Sequence, residues 1–384
     1  ELSAMDSKNL PRKSNLLAYK GLDAKTGKSN FDISEWMVLE LMRSLQRRDA
    51  LLAMLVKSAV ARRGLLPAWK AGLAWASSCI YSIDANRHFG VSVSACLLVV
   101  RMGAPQRALD CGQFEDLDST QPQSIMGIRD GGIIADTHAY DRWKHLMGTS
   151  SLQWRSGIKH DCAKVMEFKD DGGVLRNGFG ACVRLEEDYL YPLLKSSDVG
   201  KSQCQSNRRI LVTQRSTGEE TISIQANAPR TWAYLVGHRA LLEKRKSSIY
   251  RGRPPFSIFG IGEYSFARWK VAISGLYKRM RFSVAGPRRG KPTMLDDTCY
   301  FLPCHSERTA NLIAKMLNSE IADQFFRAFI FWDAKRPITV ELLKKLDLEK
   351  LARELGYAEA WKDCRKELDA SHRDPAQGYL FAAP

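Results

Sequence analysis

Apolar positions recur at helical spacing through residues 31–48, FDISEWMVLELMRSLQRR, with Trp36, Leu39, Met42 and Leu45 on one stripe and Asp32 and Ser34 as possible caps. The spacing predicts a helix. Directly after it, LLAMLVKSAVA (51–61) is a near-continuous apolar run of the kind a strand buried on both faces requires. A second helix is expected over 65–76, followed by two further apolar runs, CIYSIDA (79–85) and VSVSACLLVVR (91–101). Helix, strand, helix, strand, strand is the order of the second half of an α/β sheet.

The pattern loosens over 103–123, where Pro105, Gly112 and Pro122 sit among polar residues, so a linker or domain boundary is expected there. From about 124 to 304 the strands are short and broken by Gly and Pro, as in an α+β domain. Residues 307–332 read as helix for most of their length, and 340–368 as further amphipathic helix. Three regions follow: 1–105, 106–306 and 307–384.

Charge adds a second kind of information. Lys and Arg number 58 against 42 Asp and Glu, giving +16 and favouring a polyanionic partner. Between residues 239 and 291 stand fourteen Lys or Arg and two Glu, a local excess of +12, with aromatics from Tyr250 to Phe282 interleaved. Such a segment folds rather than trails. Against a merely solvated basic face, contact with nucleic acid is the favoured reading. Nine Cys form no CxxC pair, and Tyr300-Phe301-Leu302 between Cys299 and Cys304 reads as strand, so buried thiols are expected and no metal. The odd cysteine count and the absence of a signal peptide fit a reducing cytoplasm, and no apolar run reaches transmembrane length.

Two motifs tempt and fail. Gly260-Ile261-Gly262 lacks a third glycine and precedes SFARWKVAIS, a strand pattern rather than a helix start, so it reads as a turn presenting basic residues. Asp333-Ala334-Lys335 fits the end of a metal-dependent nuclease signature but lacks a credible upstream acidic partner on a hairpin. More telling are loops suited to DNA. Trp154-Arg155-Ser156-Gly157-Ile158-Lys159 pairs two cations with a flexible glycine turn. Arg251-Gly252-Arg253-Pro254-Pro255 and Pro287-Arg288-Arg289-Gly290-Lys291 are rigid and basic, fit for phosphates or for bidentate contacts to guanine.

In order, these segments resemble the gamma-type (Taq-like) adenine-N6 DNA methyltransferases over nearly the whole chain. KSNFDISEWM (28–37) looks like the helix after the catalytic loop, LLAMLVKSAVAR (51–62) like the next sheet strand, and HFGVSVSACLLVV (88–100) like the late strand pair. SGIKHD, YPLLKSSDV, HRALLEKRKSSIY, WKVAISGLY, MLDDTCYFLPC and KMLNSEIADQFF follow the order of the family's target-recognition domain. The resemblance implies a partial Rossmann-like methyltransferase sheet, then an α+β target-recognition domain and a helical C-terminus. It implies S-adenosyl-L-methionine (AdoMet) as methyl donor and double-stranded DNA as partner. Phe89 matches the aromatic that lines the pocket for the flipped adenine, where an aromatic face restores stacking lost on extrusion. DNA contacts are expected from Arg155, Lys159, Arg251, Arg253, Arg288, Arg289, Lys291 and Arg336.

The departures matter equally. The family's Asn/Asp-Pro-Pro-aromatic motif and its AdoMet glycine loop are absent, and Pro254-Pro255 is the only Pro-Pro, flanked by Arg253 and Phe256. ELSAMDSKNLPRKSN (1–15) resembles the loop beyond that motif. The chain is therefore expected to read DNA within a modification or restriction-modification system and to be inactive alone, with a missing N-terminal segment or subunit supplying the chemistry. A catalytically silent specificity subunit is the alternative.

Overall fold

The computed structural model describes residues 33–103, 106–148, 152–202 and 206–371. Asp32 and the 1–15 loop lie outside the described residues, as does Pro105. The chain divides into two compact units, Glu1–Lys144 with Arg327–Lys335, and His145–Phe326 with Arg336–Pro384.

In the first unit, α1 (Ile33–Ser44) buries Val38, Leu39 and Met42 along its apolar stripe. Strand β1 (Leu51–Lys57) buries Leu52 and Val56 but exposes Leu51 and Leu55, so it has one covered face where two were expected. It ends early because Ser58 opens α2 (Ser58–Lys70), whose Val60, Ala61, Leu65, Ala68 and Trp69 fall on one buried helical face. Gly64 brings this helix against α1, since a Cβ there would stand 2.7 Å from Val38. Strand β2 (Ser77–Asp84) runs into the short α3 (Ala85–Phe89). The Asp84 carboxylate accepts the Asn86 and Arg87 N–H groups, and Gly90 at φ +64° stops the helix. Strand β3 (Ser94–Arg101) then inserts between β1 and β2, antiparallel to both.

The sheet does not end there. Strands β4 (Asp110–Phe114), β5 (Ser124–Arg129) and β6 (Gly132–Ile134) extend it in the order β1-β3-β2-β4-β5-β6, with β4 parallel to β2. The expected boundary at 105/106 thus falls inside the first unit, which runs on through α4 (Thr137–Trp143). Gly127 in β5 has a packing reason. A Cβ on Gly127 would sit 2.4 Å from the Asp110 carboxylate and 2.6 Å from the Leu109 carbonyl. Arg327–Lys335 returns to the same unit, where the Ala328 carbonyl accepts the Ala135 N–H at 2.7 Å.

The second unit holds two sheets. Strand β7 is Arg155–Ser156, and α5 (Ala163–Met166) leads to β8 (Glu167–Asp171), β9 (Val174–Asn177) and β10 (Cys182–Val183). Next come β11 (Leu190–Leu194), α6 (Ser196–Gly200) and β12 (Arg208–Leu211). The chain before and into HRALLEKRKSSIY forms α7 (Ser223–Asn227), then two helices separated at His238, α8 (Pro229–Gly237) and α9 (Arg239–Glu243). Strands β13 (Trp269–Ser274), β14 (Phe282–Ala285), β15 (Met294–Leu295) and β16 (Cys299–Cys304) complete the sheets. Their orders are β10-β9-β8-β12-β11-β15 and β14-β13-β16-β7. Helices α10 (Glu307–Leu317) and α11 (Glu320–Arg327) are separated where the Ser319 hydroxyl caps the second. The region 340–368 forms three helices rather than one, α12 (Val340–Leu343), α13 (Leu348–Glu354) and α14 (Ala358–Ser371). Cys299 and Cys304 are buried thiols in β16. Among the described residues no helix is long and apolar enough to cross a membrane.

Candidate nucleic-acid interface

The expected DNA contacts of the second unit sort into two neighbourhoods. In the first, Gly157 is no flexible turn. It is buried, and a Cβ on it would stand 2.1 Å from the Asp296 carbonyl. Two residues on, the Lys159 and Phe259 backbones exchange hydrogen bonds of 2.8 and 2.9 Å. Gly260 is needed for the same close approach, since its Cβ would meet the Gly157 carbonyl at 2.3 Å. Arg155 stacks over Tyr264 at 4.6 Å, and the Arg253 guanidinium lies 6.0 Å from the Phe259 ring. Lys159 is half neutralised already, with Asp161 at 2.9 Å and Asp297 at 3.8 Å.

The 251–255 loop is held from below by polar side chains. Thr221 donates to the Pro255 carbonyl at 2.6 Å, Thr213 to Phe256 at 2.8 Å, and the Gln214 carbonyl accepts the Ile258 N–H at 2.9 Å. On that base Arg251 and Arg253 stand exposed, and neither forms an ion pair among the described residues. Arg215, also exposed and stacked over Phe266 at 4.3 Å, was not singled out from sequence.

The second neighbourhood is the 287–291 hairpin. Arg288 donates to the Ser206 carbonyl at 2.6 Å, and Arg289 pairs with Asp170. Lys291 packs over Tyr191 at 4.9 Å and donates to the carbonyls of Glu187 and Leu190. Burial pushes its ammonium below the ordinary lysine range. Adjacent Arg208 and Arg209 on β12, also missed from sequence, line a cleft of about 280 Å³ with Arg288, Arg289 and Asp170. Burial works to raise the Asp170 carboxyl, but the Gly173 N–H and the Arg289 and Arg209 guanidiniums outweigh it and hold it below the usual range. The remaining expected contact, Arg336, is exposed in the same unit.

Not every cation in the +12 segment faces solvent. Lys270 is fully buried in β13, donates to the Ala267 carbonyl at 2.7 Å, and is pushed down by burial to about 7. Arg245 donates to the carbonyls of Leu242, His160 and Ser257 while stacking over Tyr250 at 3.6 Å, so it braces the fold. Asp333, the candidate nuclease carboxylate, pairs with Arg62 at 2.7 Å, and that guanidinium covers Phe331 at 4.4 Å.

In the first unit Phe89 ends α3 and is 54% exposed, with Val91 and Val93 also exposed beyond it, so it is no core residue. Gly260 and Gly262 lead into a 3₁₀ turn, Glu263–Phe266, and strand β13, and Gly260 is explained by its approach to Gly157.

Fold and surface together place this chain beside known proteins. The type IIL restriction-modification enzyme MmeI, solved in complex with DNA, matches at TM-score 0.51 with 12% identity over 91% of this chain and 47% of its own, a likeness of fold. The chain spans about half the length of that structure. The type IIG restriction endonuclease BpuSI aligns over 80% of this chain and 41% of its own, but at 12% identity and TM-score 0.33 it carries no argument. No family model matches. Type II methyltransferase M.NspV of Nostoc sp. (strain ATCC 29411 / PCC 7524) is 45% identical over 352 residues, 91% of this chain and 73% of that protein. The chain belongs to the type II methyltransferases.

Proposed function

We propose that the chain is the DNA-recognition part of an AdoMet-dependent, site-specific adenine-N6 DNA methyltransferase of a modification or restriction-modification system, working on double-stranded DNA in the cytoplasm. The observation that carries this is the set of exposed arginines on the second unit of a methyltransferase chain. Arg251 and Arg253 are raised on a braced loop and engage no carboxylate among the described residues. Arginines held out by a rigid base and left unneutralised favour a polyanion, since structural arginines are as a rule consumed by carboxylates or carbonyls.

Base flipping is supported by Phe89. An aromatic held 54% exposed by a capped one-turn helix, just before β3, does not fill a core, and its free face suits stacking on an extruded base. The order β1-β3-β2, with β3 antiparallel between its neighbours, agrees with a Rossmann-like sheet at its late end. The 384 residues hold no Asn/Asp-Pro-Pro-aromatic tetrapeptide, so the transfer chemistry belongs to residues of an additional segment or subunit. No step involving AdoMet is assigned to residues of this chain.

The test measures two activities of the chain alone. It is expected to bind duplex DNA and to transfer no label from methyl-labelled AdoMet. Robust methyl transfer by the chain alone contradicts the division of labour, and failure to bind any duplex contradicts DNA recognition.

A further inference from the structure

The cleft beside the 287–291 hairpin has an unusual balance of partners. Four guanidiniums, Arg208, Arg209, Arg288 and Arg289, share its wall with one carboxylate, Asp170. That carboxylate is 1% exposed and already neutralised by Arg209 at 3.5 Å and by Arg289. Arg209 is 5% exposed, also grips Glu187, and keeps a buried Nε with no hydrogen-bond partner. It forms a fixed floor, its charge shared with Asp170 and Glu187.

The other three guanidiniums are only partly engaged. Each is held through Nη1 alone, Arg208 by Asp198 at 3.0 Å, Arg288 by the Ser206 carbonyl and Arg289 by Asp170. Their Nε and Nη2 groups have no partner among the described residues. One-point anchoring orients a planar fork while leaving its remaining donors for an oxyanion.

The hairpin itself points the same way. Arg288 and Lys291 exchange both backbone hydrogen bonds, and the two residues between them, Arg289 and Gly290, have φ of +52° and +76°. A two-residue turn with both φ positive favours Asn, Asp or Gly at its first corner. Arginine is a poor backbone choice there, so its side chain accounts for its presence. Among the described residues no aromatic side chain lines the cleft, which favours a phosphate over an extruded base.

We propose that this cleft seats one phosphodiester of the DNA backbone, gripped by Arg208, Arg288 and Arg289 over the Arg209 floor. The proposal rests on DNA recognition by this chain and names where the backbone, as distinct from a base edge, is held. A phosphate contact positions the duplex without carrying sequence information.

The experiment titrates the full chain against two unrelated fluorescent duplexes across a salt series. Arg288→Gln is expected to lower the magnitude of the slope of log K against log salt by about 0.9 and to weaken both duplexes alike. Arg288→Lys should restore most of the slope, and Arg208→Gln should repeat the loss independently. An Arg288→Gln slope equal to wild type overturns the proposal. A second arm compares thermal midpoints in inorganic phosphate and in chloride at matched ionic strength. Phosphate is expected to raise the midpoint of the wild type more than that of Arg288→Gln, and equal shifts overturn the proposal. If the wild type bound no duplex, DNA recognition would fall, while the phosphate arm would still decide whether the cleft takes a phosphate group.

Discussion

Replacing Lys270 with Met should make the protein more stable at neutral pH. The side chain is fully buried near the start of β13, forms no ion pair among the described residues, and has the Ala267 carbonyl as its hydrogen-bond partner. Beside it stand the Phe301 ring at 5.8 Å and the Cys304 thiol of β16. Burial lowers its ammonium from 10.5 to about 7. At pH 7 the unfolded chain is therefore fully protonated while the native chain is about half so, which costs the native state roughly 4 kcal/mol. Methionine fills similar space without a charge, but it leaves the Ala267 carbonyl unsatisfied, a loss of about 1–2 kcal/mol. A net gain of roughly 2–3 kcal/mol remains. The sign of its pH dependence is fixed. Above pH 7 the unfolded state binds more protons, so wild-type stability rises with pH up to about 10.5 relative to the variant. The advantage of Lys270→Met should shrink by about 2 kcal/mol between pH 7 and 9. Denaturant unfolding of both proteins at the two pH values measures it. A variant less stable than wild type by the same amount at both would refute the reasoning.

Phe89→Ala should leave unfolding stability within about 0.5 kcal/mol, against roughly 3–5 for a core phenylalanine, while weakening enhanced fluorescence of a duplex carrying 2-aminopurine at the target adenine in the assembled enzyme. A large drop in denaturation midpoint would return Phe89 to the core. Gly157→Ala should cost about 3 kcal/mol or more, read by thermal melting, because its Cβ would enter the Asp296 and Leu295 carbonyls at 2.1 and 2.3 Å. A neutral effect there would mean the strand yields. Glu186 accepts the Arg230 and Thr231 N–H groups at the start of α8; burial opposes its ionisation, but the bonds to Thr231 and Arg230 hold its carboxyl down at about 2. Its contribution is complete above the ordinary value of 4.5 and is lost as pH falls toward 2. Glu186→Gln should lower stability at pH 7 by about 1–2 kcal/mol and flatten acid unfolding between those values, as pH-resolved melting would show.

Strands β1 and β3 were legible because Leu and Val dominate runs of the right length, and β2 through its Cys79-Ile80-Tyr81 run, and short-range pattern is what decides them. The limits of β1 were not, since Ser58-Ala59-Val60-Ala61 is apolar enough to prolong a strand yet its burial follows the next helix. Strands β4 to β6 escaped notice for a long-range reason. Gly127 is dictated by the Asp110 and Leu109 atoms across the sheet, which sequence spacing does not reveal. The same holds for charge. Counting located the basic segment, but Lys270 points into the core, Arg245 braces loops, and Arg251 and Arg253 face water, differences set by tertiary packing alone. Arg208 and Arg209 lie outside that segment and gain significance only where β12 meets the 287–291 hairpin.

The most direct test of DNA recognition is the salt dependence of duplex binding by the chain itself, followed by fluorescence anisotropy from about 50 to 200 mM salt. Several arginines acting on phosphates should give micromolar or tighter binding at the low end and a log–log slope of about −4 or steeper, reduced in magnitude by Arg251→Gln with Arg253→Gln. No binding at low salt, or a slope near zero unaffected by those substitutions, would contradict it.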